Sequence, residues 1–291
     1  MKSFGKVLTA MVTPFDEHLQ VDYQKVVELA RHLADHGSDG IVVCGTTGES
    51  PTLTKEEKLR LFQIVKETVG DRVSVIAGTG SNNTLDSIAL TKEAEKIGVD
   101  GAMIVGPYYN KPSQEGFYQH FKAIADSTNL PIIVYNVPGR TGSNILPETV
   151  VRLSEIKNIV AVKEASGNLD QASEIARLVP KDFLIYSGDD SLTLPMLSIG
   201  GAGIISVASH IVGDKIKSMV EAFFAGDMKT ATELHLELFP VFKVIFITSN
   251  PVPIKAALAM AGLAVGGPRL PLVKATEGEI EKLKSVVGKF L

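Results

Sequence analysis

Lys163 closes the apolar run Ile159-Val160-Ala161-Val162. An ammonium drawn into apolar surroundings loses hydration, which disfavours its charged form and lowers its pKa by up to about 3–5 units on full burial. A neutral amine held there is a nucleophile suited to a ketone carbonyl. The same position also fits a lysine that snorkels to the surface or pairs with Glu164. Tyr135 closes a second apolar run. A phenol near such an amine could pass protons while a carbinolamine forms and loses water, or it could be a core tyrosine with a satisfied hydroxyl.

Three further groups have the right chemistry for a small acid. Thr46 and Thr47 stand between Gly45 and Gly48. The glycines let backbone amides approach a ligand, and the hydroxyls can donate or relay protons. That suits a carboxylate or keto acid, although the segment also fits a turn capping the next helix. Tyr108 and Tyr109 precede Asn110-Lys111-Pro112, an aromatic pair that marks a contact surface or folds over the rim of the fold. Arg140, within Pro138-Gly139-Arg140-Thr141-Gly142, has the fork geometry for bidentate carboxylate binding, or is a solvated loop residue.

The elements that must position these residues alternate. Short apolar runs rich in Val and Ile occur at 7–13, 40–45, 73–78, 101–106, 131–136, 159–164, 183–188 and 202–207. Nearly continuous apolar character is how strands look when both faces are buried, as in parallel sheets. Between them lie segments of helical spacing at 22–36, 54–69, 84–97, 113–127, 147–153, 169–178, 191–199 and 211–225. Thr54 with Glu57 forms a capping box, and Gly37, Gly70 and Gly98 stand at helix ends. Eight strand–helix units predict an α/β fold, a (β/α)8 TIM barrel over 1–225. Segments 227–243, 251–262 and 276–290 predict a C-terminal three-helix extension, 226–291, packed on the barrel. The β-branched piece Val244 to Thr248 is taken as the apolar end of a helix.

Barrel active sites form at the carboxyl ends of the strands. The polar and glycine-rich segments after strands 2, 4, 5, 6 and 7 all fall there, including Gly188-Asp189-Asp190 after strand 7. The aspartates are expected to cap the following helix rather than hold a metal. The glycines at 200, 201 and 203 precede strand 8, at the wrong end for a phosphate site.

Other chemistries find little support. The six histidines include His32 and His36 on one helix face, with no third ligand nearby and no glutamate-containing zinc pattern, so no metal is expected. Gly78-Thr79-Gly80 lacks the third glycine of a dinucleotide loop. Of the 291 residues 45% are hydrophobic and 21% charged, which supports a large core, and a net charge of −4 with no basic run argues against nucleic acid. No apolar stretch approaches the roughly 18 residues of a membrane span, and the opening residues do not resemble a signal peptide. The single cysteine, Cys44, excludes an internal disulfide and is expected as a small buried strand residue. Together these predict a cytoplasmic location.

Gly-Thr-Thr-Gly-Glu-Ser at 45–50, Pro-Tyr-Tyr-Asn-Lys-Pro at 107–112, Tyr-Asn-Val-Pro-Gly-Arg-Thr at 135–141 and Val-Lys-Glu-Ala-Ser-Gly at 162–167 resemble, in order and spacing, the pyruvate-dependent Schiff-base aldolases. Within that superfamily the chain is similar to the 4-hydroxy-tetrahydrodipicolinate synthase (dihydrodipicolinate synthase) family, from about Val7 to its end. The resemblance implies a lyase of lysine and diaminopimelate biosynthesis that condenses pyruvate, bound as an imine on Lys163, with L-aspartate 4-semialdehyde. It implies Tyr135 as proton donor and acceptor, linked through Thr47 to Tyr109 of a neighbouring subunit. Thr46 and Thr47 would hold the pyruvate carboxylate, Arg140 would orient the semialdehyde carboxylate, and Gly188 and Ile205 would lend backbone to the pocket. No cofactor is implied, since an aldolase without metal ligands must activate its ketone covalently. A homotetramer of two tight dimers is implied as well.

Lysine-inhibited members place an effector site at positions matching Ser50, Lys55, Lys58, Asn82, Asp86 and Tyr108. Lys55 and Lys58 stand where those members carry histidines, and Asp86 replaces a glutamate. Two cations beside a cationic effector are repulsive, so inhibition by lysine is expected to be weak or absent. Two other functions remain: a sister aldolase such as N-acetylneuraminate lyase or a 2-keto-3-deoxy sugar acid aldolase, and a non-catalytic barrel that binds a small acid.

Overall fold

The computed structural model describes residues 4–291. Its strands are β1 (Val7–Ala10), β2 (Gly40–Val43), β3 (Ser74–Gly78), β4 (Gly101–Val105), β5 (Ile132–Asn136), β6 (Ile159–Glu164), β7 (Leu184–Ser187) and β8 (Gly203–Ser206), in the order of a closed barrel. The strand pairs between β3 and β8, and β1 with β2, are parallel. β1, β2, β3, β5, β6 and β8 are buried at every position. Burial of both faces is why these runs lack the polar alternation of a half-exposed strand.

The chain forms two compact units, one running up to Val75 and resuming over Ser206–Leu291, the other Ile76–Ile205. The first contains α1 (Tyr23–Asp35), α2 (Lys55–Val69), α9 (Ser209–Phe224), α10 (Met228–Val244), α11 (Val252–Met260) and α12 (Glu277–Val287). Asp22 caps α1 by accepting from Gln24 and Lys25, and Thr54 with Glu57 closes the expected capping box on α2. Within this unit α9 lies against β1 and α10, and α12 against α10 and α11. Thr9 Oγ1 on β1 hydrogen-bonds both Ser38 and Ser209 at 2.7 Å. His210 donates from Nδ1 to Val207 O and accepts the Val12 N–H at Nε2, which fixes one neutral tautomer. Burial lowers its pKa to about 4.

The second unit contains α3 (Thr84–Ile97), α4 (Gln114–Ala125), α5 (Pro138–Thr141), α6 (Pro147–Ser154), α7 (Leu169–Leu178) and α8 (Thr193–Ser198). Asn83, Ser113 and Asn168 cap α3, α4 and α7.

Four expectations need correction. Cys44 is buried but lies just past β2 with φ 57°, so it belongs to a turn, not a strand. The segment carrying Arg140 is not a loop: Pro138, placed at the first turn with φ preset for helix, starts the short α5. Asp189 precedes a 3-10 turn, Asp190–Leu192, without a side-chain cap hydrogen bond. α10 stops at Val244, so the β-branched piece after it is neither strand nor helix; its N–H groups close successive turns, as from Phe246 to Lys243 O.

Candidate active site

β5, β6 and β7 bring the principal residues into register. Tyr135 lies opposite Lys163, and Lys163 opposite Tyr186. Adjacent strands in register point corresponding side chains to one face, so Lys163 and Tyr135 meet. Lys163 Nζ sits over the Tyr135 ring, 4.4 Å from its centroid. The lysine is buried, only 4% exposed. Burial lowers its pKa to about 8; Asp189 and Asp190 act against that shift and Arg140 adds to it. A pKa of 8 leaves about a tenth of the amine neutral at pH 7, roughly 300-fold more than an ordinary lysine.

Lys163 does not pair with Glu164. That carboxylate accepts instead from Asn136 Nδ2, Gln171 Nε2 and the Ser166 N–H. Successive strand residues face opposite ways, so Glu164 turns from the face Lys163 takes. Nor does the lysine snorkel to water, since it is buried.

The other sequence candidates of this unit take distinct places. Arg140 is exposed on α5, five residues beyond Tyr135. Gly188 follows β7 and donates its N–H to Glu164 O at 2.7 Å. A Cβ on Gly188 would come 2.4 Å from the Ala165 Cβ, so only glycine fits. Ile205 is buried in β8. Tyr108 is half-buried, whereas Tyr109 is 89% exposed and held at φ 73°. A bulky residue in left-handed backbone is strained, and such strain concentrates at functional positions. Asn82 and Asp86 flank the start of α3, and Asn110 Nδ2 donates to Asn82 O.

Thr46 and Thr47 belong to the first unit, after β2. Thr47 is buried and its hydroxyl accepts from Asn250 Nδ2 at 2.8 Å, while Thr46 is half-buried. Glu49, next in the same segment, has φ 56° and pairs with Lys255 at 2.6 Å. The Arg269 N–H donates to its other oxygen at 2.8 Å. Asn250, Lys255 and Arg269 were missed in the sequence; they lie some two hundred residues from the threonines, and nothing local marks them. Ser50, Lys55 and Lys58 follow in this unit, and burial lowers the pKa of Lys58.

Among the described residues no group of three His, Cys, Asp or Glu side chains could hold a metal ion, and no helix is long and apolar enough to cross a membrane. The His32 and His36 rings lie 4.4 Å apart, centroid to centroid. Gly80 is glycine because a Cβ there would reach Val105 N at 2.4 Å, a packing reason independent of any nucleotide.

A closed (β/α)8 barrel with a buried lysine at the carboxyl end of a strand fits the class of enzymes that bond a carbonyl substrate to an amine. Comparison with known proteins narrows the class. The model of the dihydrodipicolinate synthetase family matches residues 3–289. The 4-hydroxy-tetrahydrodipicolinate synthase of Desulforudis audaxviator is 63% identical over 281 residues, covering 97% of this chain and 96% of the relative. The crystal structure of a dihydrodipicolinate synthase from Bacillus anthracis superposes with a TM-score of 0.98 at 54% identity and 100% coverage of both chains. That of the enzyme from Cyanidioschyzon merolae with lysine bound gives 0.97 at 48% identity and 99% coverage of both. The chain belongs to the dihydrodipicolinate synthetase family.

Proposed function

We propose that this chain makes 4-hydroxy-tetrahydrodipicolinate from pyruvate and L-aspartate 4-semialdehyde, with Lys163 as the imine-forming amine. The observation that carries the reading is the buried Lys163 amine over the Tyr135 ring, its pKa brought to about 8. Neutral Lys163 Nζ attacks the pyruvate carbonyl carbon and the carbinolamine loses water. The imine gives up a methyl proton and becomes an enamine, whose carbon attacks the semialdehyde's aldehyde carbon. The semialdehyde nitrogen then attacks the imine carbon, closes a six-membered ring and releases Lys163. No step calls for a cofactor.

Tyr135 carries the protons of these steps, linked through Thr47 to Tyr109 of a neighbouring subunit in a homotetramer of two tight dimers. The outward, strained Tyr109 supports an interface role, because a large aromatic held in water at a cost in backbone energy gains from a partner. Thr46 and Thr47 hold the pyruvate carboxylate. The bond from Asn250 leaves the Thr47 proton free to be donated onward, while Thr46 is the more open hydroxyl for a ligand. Arg140 orients the second carboxylate, and Gly188 and Ile205 lend backbone to the pocket. Residues 226–291 are an extension of the barrel 1–225, and the enzyme works in the cytoplasm.

The test is a substrate pair. Pyruvate with aspartate semialdehyde should yield product, and N-acetylneuraminate should not be cleaved; the reverse pattern would make the chain a sister aldolase. Inhibition by lysine should be weak or absent, because Lys55 and Lys58 stand at the matching effector positions. Micromolar inhibition would contradict that.

A further inference from the structure

A closed polar network lies directly behind the Tyr135–Lys163 rung. The next rung pairs Asn136 with Glu164, and these side chains face away from the amine. Asn136 Nδ2 donates to Glu164 Oε2 at 3.0 Å and to Asn144 Oδ1 at 2.8 Å. Gln171 Nε2 donates to Glu164 Oε2 at 3.1 Å, and the Ser166 N–H to Oε1 at 2.7 Å. Asn144 Nδ2 donates to Gln171 Oε1 at 2.7 Å, and the Ile145 N–H to Asn136 Oδ1 at 3.0 Å. Glu164 is only 4% exposed, and the groups that donate to it are all neutral. A buried carboxylate held by neutral donors alone is a demanding arrangement, which the fold retains beside the reactive amine.

The same strand pair is irregular at its foot. Ile132 pairs with Ile159, but Ile133 pairs with Ala161, so the register shifts by one residue. Above it the new offset is constant up to the Asn136–Glu164 pair, and a further slip of one residue there would turn the Lys163 side chain to the other face. The pairing above the irregularity therefore has to be held, and the Asn136–Glu164 bond spans the two strands where that matters. Asn144 and Ile145, in the segment that follows α5, extend the hold toward Arg140.

We propose that Glu164 is a positioning residue: clasped by Asn136, Gln171 and the Ser166 N–H, its carboxylate holds β5 and β6 in register so that the Lys163 amine meets Tyr135. This rests on Lys163 being the imine-forming amine.

Glu164→Gln tests it sharply. All three partners donate, so a glutamine amide sets its NH2 group against a donor in either orientation, and Asn136 cannot flip without losing the Ile145 N–H. The rate at which borohydride traps pyruvate on Lys163, counted per folded site, should fall at least about tenfold; kcat should fall with it, while KM for pyruvate changes less than about threefold. If Glu164→Gln does not fold, Asn144→Ala at the half-buried edge of the network should still slow trapping about threefold. A wild-type trapping rate in Glu164→Gln or in Asn144→Ala overturns the proposal. The wild-type control separates the two readings. An unlabelled wild-type Lys163 defeats the imine reading and this one with it, whereas equal labelling of wild type and variant defeats this one alone.

Discussion

The reactivity of Lys163 comes from its surroundings. Burial disfavours the ammonium, Asp189 and Asp190 restore part of the preference for charge, and the pKa settles near 8. Imine formation should therefore rise with pH through about 8 and level off above it. The folded protein binds fewer protons than the unfolded chain between about 8 and the ordinary 10.5, so this group's contribution to stability improves as pH rises across that window. Replacing Asp189 by Asn removes a charge that favours the ammonium. The midpoint of the trapping profile should move to lower pH by up to about one unit, and a profile that stays put or moves to higher pH would show that the aspartate does not act on the amine. The lysine itself was legible because a charged residue ended an apolar run. The choice between its alternatives was not: whether Glu164 pairs with it depends on which face each side chain takes and on Asn136 and Gln171, partners that the local sequence does not reveal.

At the scale of elements, the helices that follow the last strand do more than cover the barrel unit to which they belong. Lys255 on α11 and Glu49 after β2 form an ion pair with side chains 2% and 1% exposed. Lys255 also donates to Gly267 O and lies over the Phe15 ring. Arg269 grips Glu57, the N3 residue of the α2 capping box, and donates to Thr52 O and Leu19 O. These bonds fasten the segment that carries Thr46 and Thr47. Lys255→Met strands a buried carboxylate and should cost about 3–5 kcal/mol in denaturant unfolding, whereas Lys255→Met with Glu49→Gln should cost less. A loss below about 1 kcal/mol in the single variant would mean that Glu49 finds water or another partner. The capping box at Thr54 and Glu57 was readable from spacing, as were most helix starts. The anchoring role of Lys255 and Arg269 was not, because an isolated basic residue on a helix or in a coil looks the same whether it is solvated or buried against a partner two hundred residues away.

At the scale of the whole molecule, the alternation of strand and helix was the most legible feature, since strands buried on both faces leave continuous apolar runs that helical periodicity then interrupts. Less legible were the short α5 and the turn at Cys44, where local backbone geometry overrides the run that precedes it. The proposed assembly rests on resemblance, and the exposed Tyr109 with φ 73° is the residue on which it can be tested. Tyr109→Phe should keep the assembly but lower kcat by about 10²-fold or more if its hydroxyl relays protons. An unchanged rate would remove Tyr109 from the relay while leaving its ring free to pack against a neighbour.

The most direct measurement is chemical. The enzyme is incubated with pyruvate, reduced with borohydride, digested and mapped by mass spectrometry, with Lys163→Ala treated in parallel. The account predicts one reduced pyruvate adduct, on Lys163, and in the variant neither adduct nor activity. An adduct on another lysine, or full activity in Lys163→Ala, would contradict it.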